Sequence, residues 1–262
     1  MLKPGGQLLA FGSPRIAHRL AAGLEDAGLQ LRDTLMWLYG TGMPKSRWLS
    51  GGRGTTLKPA YEPILLARRP PEEAIARTVE RHGTGALNID PCRIDGRYPA
   101  DVLYSHSPDC GAERCESGCA AALIDAAAIH GPSPSAAWAS TPPSRLFYCA
   151  KVGRGERDAG CERLPRRTLD LFPNAQDGGG ASPARNPHPT VKPLALMRWL
   201  VRLATPEHGL VLDPFCGSGS TGAAAALEGR RFVGFELDAD YAVIARARIA
   251  HWASHRTRSG AT

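Results

Sequence analysis

Val211-Leu212-Asp213-Pro214-Phe215-Cys216-Gly217-Ser218-Gly219-Ser220-Thr221-Gly222 runs from a short apolar strand through a glycine turn into an alanine-rich segment with helical pattern. Glycines lacking Cβ let backbone approach a ligand closely, and the first turn of the following helix offers N–H groups without intrahelical partners. A second strand is expected over Arg231–Leu237, with Glu236 at its end, where a carboxylate can accept hydrogen bonds from both hydroxyls of a ribose. Gly217-x-Gly219-x-x-Gly222 formally fits a dinucleotide fingerprint, but an isolated fit of this kind is weak. Two features argue against a dinucleotide. Asp213, Pro214 and Phe215 stand between strand and glycines, and a carboxylate is unfavourable beside a pyrophosphate; it suits a cationic ligand bearing an ammonium and a sulfonium. Only 40 residues follow Gly222, too few for the remaining strands of a doubly wound sheet. Those strands must come from the N-terminal end.

The N-terminal end supplies them. Gln7–Phe11 is apolar after Pro4-Gly5-Gly6 and reads as a buried strand. Ile16, Leu20, Leu24 and Ala27 then form one face of a helix closed by Gly28. Leu31–Leu38 and Glu62–Ala67 read as two further strands. After residue 186 order returns: an amphipathic helix over Pro193–Ala204, a strand over Leu210–Leu212, helices over Thr221–Glu228 and Ala239–Ala253, the last capped by Asp238. The expected division is residues 1–69 as one half of the sheet, 70–150 as an irregular insert, 151–186 as a linker, 187–253 as the ligand-binding half, and 254–262 as a polar tail.

Three motifs in fixed order carry a resemblance: Asn186-Pro187-His188-Pro189-Thr190-Val191-Lys192-Pro193, the glycine segment above, and Gly229-Arg230-Arg231-Phe232-Val233-Gly234-Phe235-Glu236-Leu237-Asp238. Together with Leu2-Lys3-Pro4-Gly5-Gly6, Trp37-Leu38-Tyr39-Gly40 and Lys58-Pro59-Ala60-Tyr61-Glu62-Pro63, they resemble bacterial and phage DNA amino-methyltransferases acting on adenine N6 or cytosine N4. The order resembles the permuted arrangement, with the S-adenosylmethionine (SAM) motif last. The resemblance implies an α/β Rossmann-like fold, a mixed sheet with helices on both faces and an inserted recognition module, with SAM as cofactor and DNA as partner. It implies that Asp213 faces the ammonium, Glu236 holds the ribose, and Phe215 packs near adenine or methionine. Cys216, Gly217, Ser218, Gly219, Ser220 and Thr221 would line the cofactor, and Thr190 and Lys192 would border its methionine end. Adenine N6 is favoured over cytosine N4.

One departure matters. The family's catalytic motif, an Asp, Ser or Asn before Pro-Pro and an aromatic, lies on a strand upstream of the Leu-Lys-Pro-Gly-Gly segment. Here that segment begins at Leu2, and the nearest look-alike, Thr141-Pro142-Pro143-Ser144, lacks the aromatic and reads as a turn. The expectation is an N-terminally truncated chain or a mis-assigned start, inactive by itself, with the catalytic acceptor unassigned. The rivals are a non-catalytic module that binds SAM or DNA, and a methyltransferase for an amine of RNA or protein.

Composition sets the remaining bounds. Of 262 residues, 43% are hydrophobic and 22% charged, which excludes a wholly disordered chain, while 29 glycines and 22 prolines announce many loops. No apolar run approaches the ~18 residues of a membrane span, so a cytoplasmic protein is expected. The net charge is +7, and residues 1–70 hold ten Lys/Arg against four acids. Within them Lys45, Arg47, Trp48, Arg53 and Lys58 fit contacts to DNA phosphates as well as they fit a solvated loop. Seven cysteines without a secretory signal read as reduced thiols. His106, Cys110, Cys115 and Cys119 tempt a zinc reading, but no Cys-x2-Cys knuckle supports it, and a metal-free thiol loop is the preferred reading.

Overall fold

In the computed structural model, which describes residues 2–39, 48–57, 59–93, 98–105, 110, 115–116, 119, 122, 152–167 and 183–259, the chain divides into two units, Met1–Ala150 and Lys151–Thr262. Both mix strands and helices, the α/β class expected.

The first unit is built on β5 (Tyr61–Arg68), whose Ile64, Leu65, Leu66 and Ala67 are buried. A strand covered on both faces reads as a continuous apolar run, and burying each large aliphatic side chain contributes about 1.5–3 kcal/mol. β1 (Gln7–Phe11) and β2 (Gln30–Tyr39) pair antiparallel on either side of it. Between β1 and β2 in the chain lies α1 (Ala17–Asp26), after which Gly28 turns with φ +82°. A short hairpin, β3 (Trp48–Leu49) and β4 (Arg53–Gly54), falls within the stretch expected to be a loop. The region expected as an irregular insert supplies α2 (Ile75–His82) and β6 (Val102–Ser105). β6 joins the sheet parallel to β2, giving the order β1-β5-β2-β6. The buried indole Nε1 of Trp37 donates to Ser105 Oγ at 2.7 Å and ties the two strands together.

In the second unit α3 (Arg154–Asp158) sits inside the expected linker. α4 (Leu194–Ala204) follows, burying Leu194, Leu196, Met197, Trp199, Leu200, Val201 and Leu203. β7 (Leu210–Asp213) leads through the glycine turn to α5 (Ser220–Leu227), and β8 (Arg231–Gly234) pairs parallel with β7. α6 (Ala239–Ser259) runs six residues past the expected Ala253 end, into the stretch read as a polar tail. Ser254 Oγ and His255 Nδ1 lie 2.7 and 2.8 Å from the His251 carbonyl of the same helix, and Arg256 packs over Gly229. α5 packs against both α4 and α6, and Ala223, Ala224 and Ala225 are fully buried, so small side chains set that close approach. No helix among the described residues is long and apolar enough to cross a membrane.

Candidate functional site

The glycine turn lies at the carboxyl ends of two parallel strands, where open α/β sheets place their ligands. Asp213 closes β7; its Oδ1 accepts the Phe215 N–H at 3.0 Å. Glu236 stands two residues past β8, not in the strand as expected, because the backbone pairing shifts to the turn. Phe235 N–H donates to Asp213 O, and Cys216 N–H donates to Phe235 O, both at 2.9 Å. Glu236 Oε2 accepts the Gly217 N–H at 2.7 Å, and Oε1 accepts the Asp238 N–H at 2.9 Å. Each carboxylate thus bonds backbone of this turn region and retains further acceptor sites. Phe215, 88% exposed, and Leu237, fully exposed, flank them.

The glycines answer to protein as well as to any ligand. Gly217 turns at φ +53°, and a Cβ there would lie 2.7 Å from His188 Nε2. Gly219 turns at φ +78°, and its Cβ would meet Ala245 Cα at 2.9 Å. Cys216, Ser218 and Ser220 are buried, and Thr221 is half-buried at the start of α5. Burial pushes the Cys216 thiol up to about 11, with Asp213 and Glu236 adding to the rise, so it stays protonated near neutrality. It is not a thiolate nucleophile.

Thr190 and Lys192 reach this region through a residue that sequence reasoning left unassigned. Thr190 N–H donates to His188 Nδ1 at 3.3 Å, and Lys192 contributes to the electrostatic field at that ring. The ring stacks edge-on with Tyr241, centroids 4.6 Å apart. Burial holds the imidazole below its ordinary value, and Glu236 partly opposes the shift. The segment's backbone is fixed by α3: Arg157 donates to the Asn186 and His188 carbonyls, and Asp158 Oδ1 accepts the Asn186 N–H at 3.0 Å. Glu156 Oε1 accepts the Leu194 N–H at 2.7 Å, capping α4 from outside.

Arg248, fully buried on α6, is the other residue missed. Its Nη1 donates to Ser218 O at 2.7 Å and to both Ser218 Oγ and Ser220 Oγ at 3.2 Å. The signal was an Arg on the inward face of a helix whose neighbours Ile244 and Ala245 are buried. A cleft of about 260 Å³ bounded by Pro187, Tyr241 and Ile244 belongs to the same unit, but neither Asp213 nor Glu236 lines it.

Of the residues expected to contact DNA, Arg53 is exposed on β4 with its Nε donating to Ser50 O at 3.2 Å. The backbone of Trp48 begins β3. Lys45, Arg47 and Lys58 lie outside the described residues, as does His106.

A family profile described as DNA methylase, for the N6/N4 methyltransferases, matches residues 1–247. The chain belongs to this family. It is 45% identical over 62 residues to the type II methyltransferase M2.DpnII of Streptococcus pneumoniae, covering 24% of this chain and 23% of that protein. It is 40% identical over 62 residues to the DNA adenine methyltransferase YhdJ of Escherichia coli, covering 24% and 21%. The chain thus spans about a quarter of these curated relatives. Among solved structures it is similar to M1.HpyAVI (TM-score 0.49, 17% identity, 94% of this chain and 74% of that one), which has also been solved as a SAM complex. It is similar too to the cytosine-N4-specific PvuII DNA methyltransferase (TM-score 0.49, 16% identity, 94% and 64%).

Proposed function

We propose that this chain carries the SAM-binding part of a DNA amino-methyltransferase, in the permuted order, directed to adenine N6 in preference to cytosine N4. The observation that carries this reading is the pair of carboxylates, Asp213 and Glu236, flanking a glycine turn at the ends of adjacent parallel strands. Two carboxylates on this rim fit a ligand with an ammonium, a sulfonium and a ribose, and they disfavour a phosphate. Asp213 takes the ammonium. Glu236, held by Gly217 and Asp238, presents its remaining lone pairs to the ribose hydroxyls. Exposed Phe215 covers an apolar face of the ligand, while Cys216, Ser218, Gly219, Ser220 and Thr221 form the turn beneath it. Thr190 and Lys192 border the methionine end through His188. When bound, SAM supplies an electrophilic methyl group; the protein's part is orientation and exclusion of water.

Residues 70–150, apart from β6, which belongs to the sheet, form the target-recognition insert in this reading, and Lys45, Arg47, Trp48, Arg53 and Lys58 meet DNA phosphates. No Asp, Ser or Asn followed by Pro-Pro and an aromatic occurs in the 262 residues, so the 262 residues alone bind SAM without transferring its methyl group. The test is a chain extended ahead of Met1 by a strand ending in Asp-Pro-Pro-Tyr. It is incubated with unmethylated DNA and SAM, and the DNA is digested to nucleosides for mass spectrometry. N6-methyladenine from the extended chain and none from residues 1–262 is expected. Neither methylated base from the extended chain, with SAM demonstrably bound, would overturn the reading.

A further inference from the structure

Three thiols of the first unit, expected from the sequence as a metal-free loop, converge. The sulfurs of Cys110, Cys115 and Cys119 all lie within 4.8 Å of one another. Ligand sulfurs around a tetrahedral zinc, at Zn–S of about 2.3 Å, sit about 3.8 Å apart, so closing on a metal requires movement of an ångström or less. Cys110 and Cys119 are 7% and 4% exposed, and Cys115 is half-buried. The Glu116 N–H donates to Cys110 Sγ at 3.3 Å. The Cys119 N–H donates to Glu116 O at 3.2 Å, which holds Cys119 close to the residue after Cys115.

Among the described residues, the apolar cluster here consists of the three cysteines and Ala122. Three convergent sulfurs match the ligand set of a metal ion, which bonds all of them, whereas a disulfide joins only two. We propose that Cys110, Cys115 and Cys119 hold a structural zinc ion, giving up one proton each as the thiolates form. Three thiolates on Zn²⁺ leave a net charge of −1, which favours a neutral fourth ligand, imidazole or water. His106 is close in sequence but lies outside the described residues.

The full chain, expressed in zinc-supplemented medium and purified without chelator, should carry one zinc per chain by elemental analysis. Titration of metal-free chain with Co²⁺ should produce a thiolate-to-cobalt charge-transfer band. Cys115→Ser, which changes the most exposed of the three, should drop zinc well below one per chain and abolish that band, with helix content by circular dichroism unchanged. The proposal is overturned if wild-type chain holds far less than one zinc and shows no cobalt–thiolate band. It is equally overturned if mass spectrometry of the freshly purified chain finds two of these cysteines joined as a disulfide.

Discussion

Gly217 and Gly219 occupy the same turn but are required for different reasons. An L-residue at either φ costs about 1–2 kcal/mol from backbone strain alone. At Gly217 the added Cβ meets the end of a side chain, His188, whereas at Gly219 it meets backbone, Ala245 Cα, which cannot rotate away. Gly219→Ala is therefore expected to lower the urea midpoint of the second unit more than Gly217→Ala does, and equal midpoints would refute the packing argument. His188 makes a second residue-level prediction. Burial depresses its pKa, with Arg157, Arg248 and Lys192 adding to the depression and Glu236 opposing it. The unfolded chain then binds the proton more readily, so the associated stability is complete above about pH 6.5 and is lost as pH falls through the folded value. His188→Gln should flatten the decline in urea midpoint between about pH 7 and pH 5. A decline as steep as that of the wild type would show that other groups set it.

At the scale of elements, the strands that contain an apolar run were legible: β1, β2 and β5 fall where the sequence placed them, within a residue or two. β6 was not, because Val102–Ser105 is short, half polar, and set among Pro, Gly and Cys; its stability comes from pairing with β2 and the Trp37–Ser105 bond, both non-local. α3 was hidden for a similar reason. Five residues with four charges have no helical apolar face, and their role is to bond the Asn186–His188 backbone and cap α4. The carboxylates and glycines of the site could be read because motif and chemistry coincide there, whereas Arg248 and His188 became visible only once α6 and α3 were in place. Arg248 braces the turn from α6, so Arg248→Met should leave the Ser218 carbonyl and two hydroxyls without their donor. The expected loss is about 1–3 kcal/mol of stability together with weaker SAM binding. Unchanged thermal stability would remove the brace from the account.

For the whole molecule, the excess of positive charge in residues 1–70 predicts salt-sensitive DNA binding. Replacing Lys45, Arg47, Arg53 and Lys58 together by Ala should reduce the slope of log K against log salt by about three to four, one released counterion per lost phosphate contact. An unchanged slope would return that segment to solvent. Such binding, however, is shared by many basic proteins; what the proposed function adds for this chain is a cationic nucleoside bound between Asp213 and Glu236. Calorimetric titration of SAM into the full chain, alongside Glu236→Ala, addresses that directly. Saturable one-to-one binding by wild type, weakened by up to about a hundredfold in Glu236→Ala as ribose hydroxyls and the Gly217 N–H lose their acceptor, is the predicted result. Wild-type binding that Glu236→Ala leaves unchanged, or no binding by a folded wild-type chain, would contradict it.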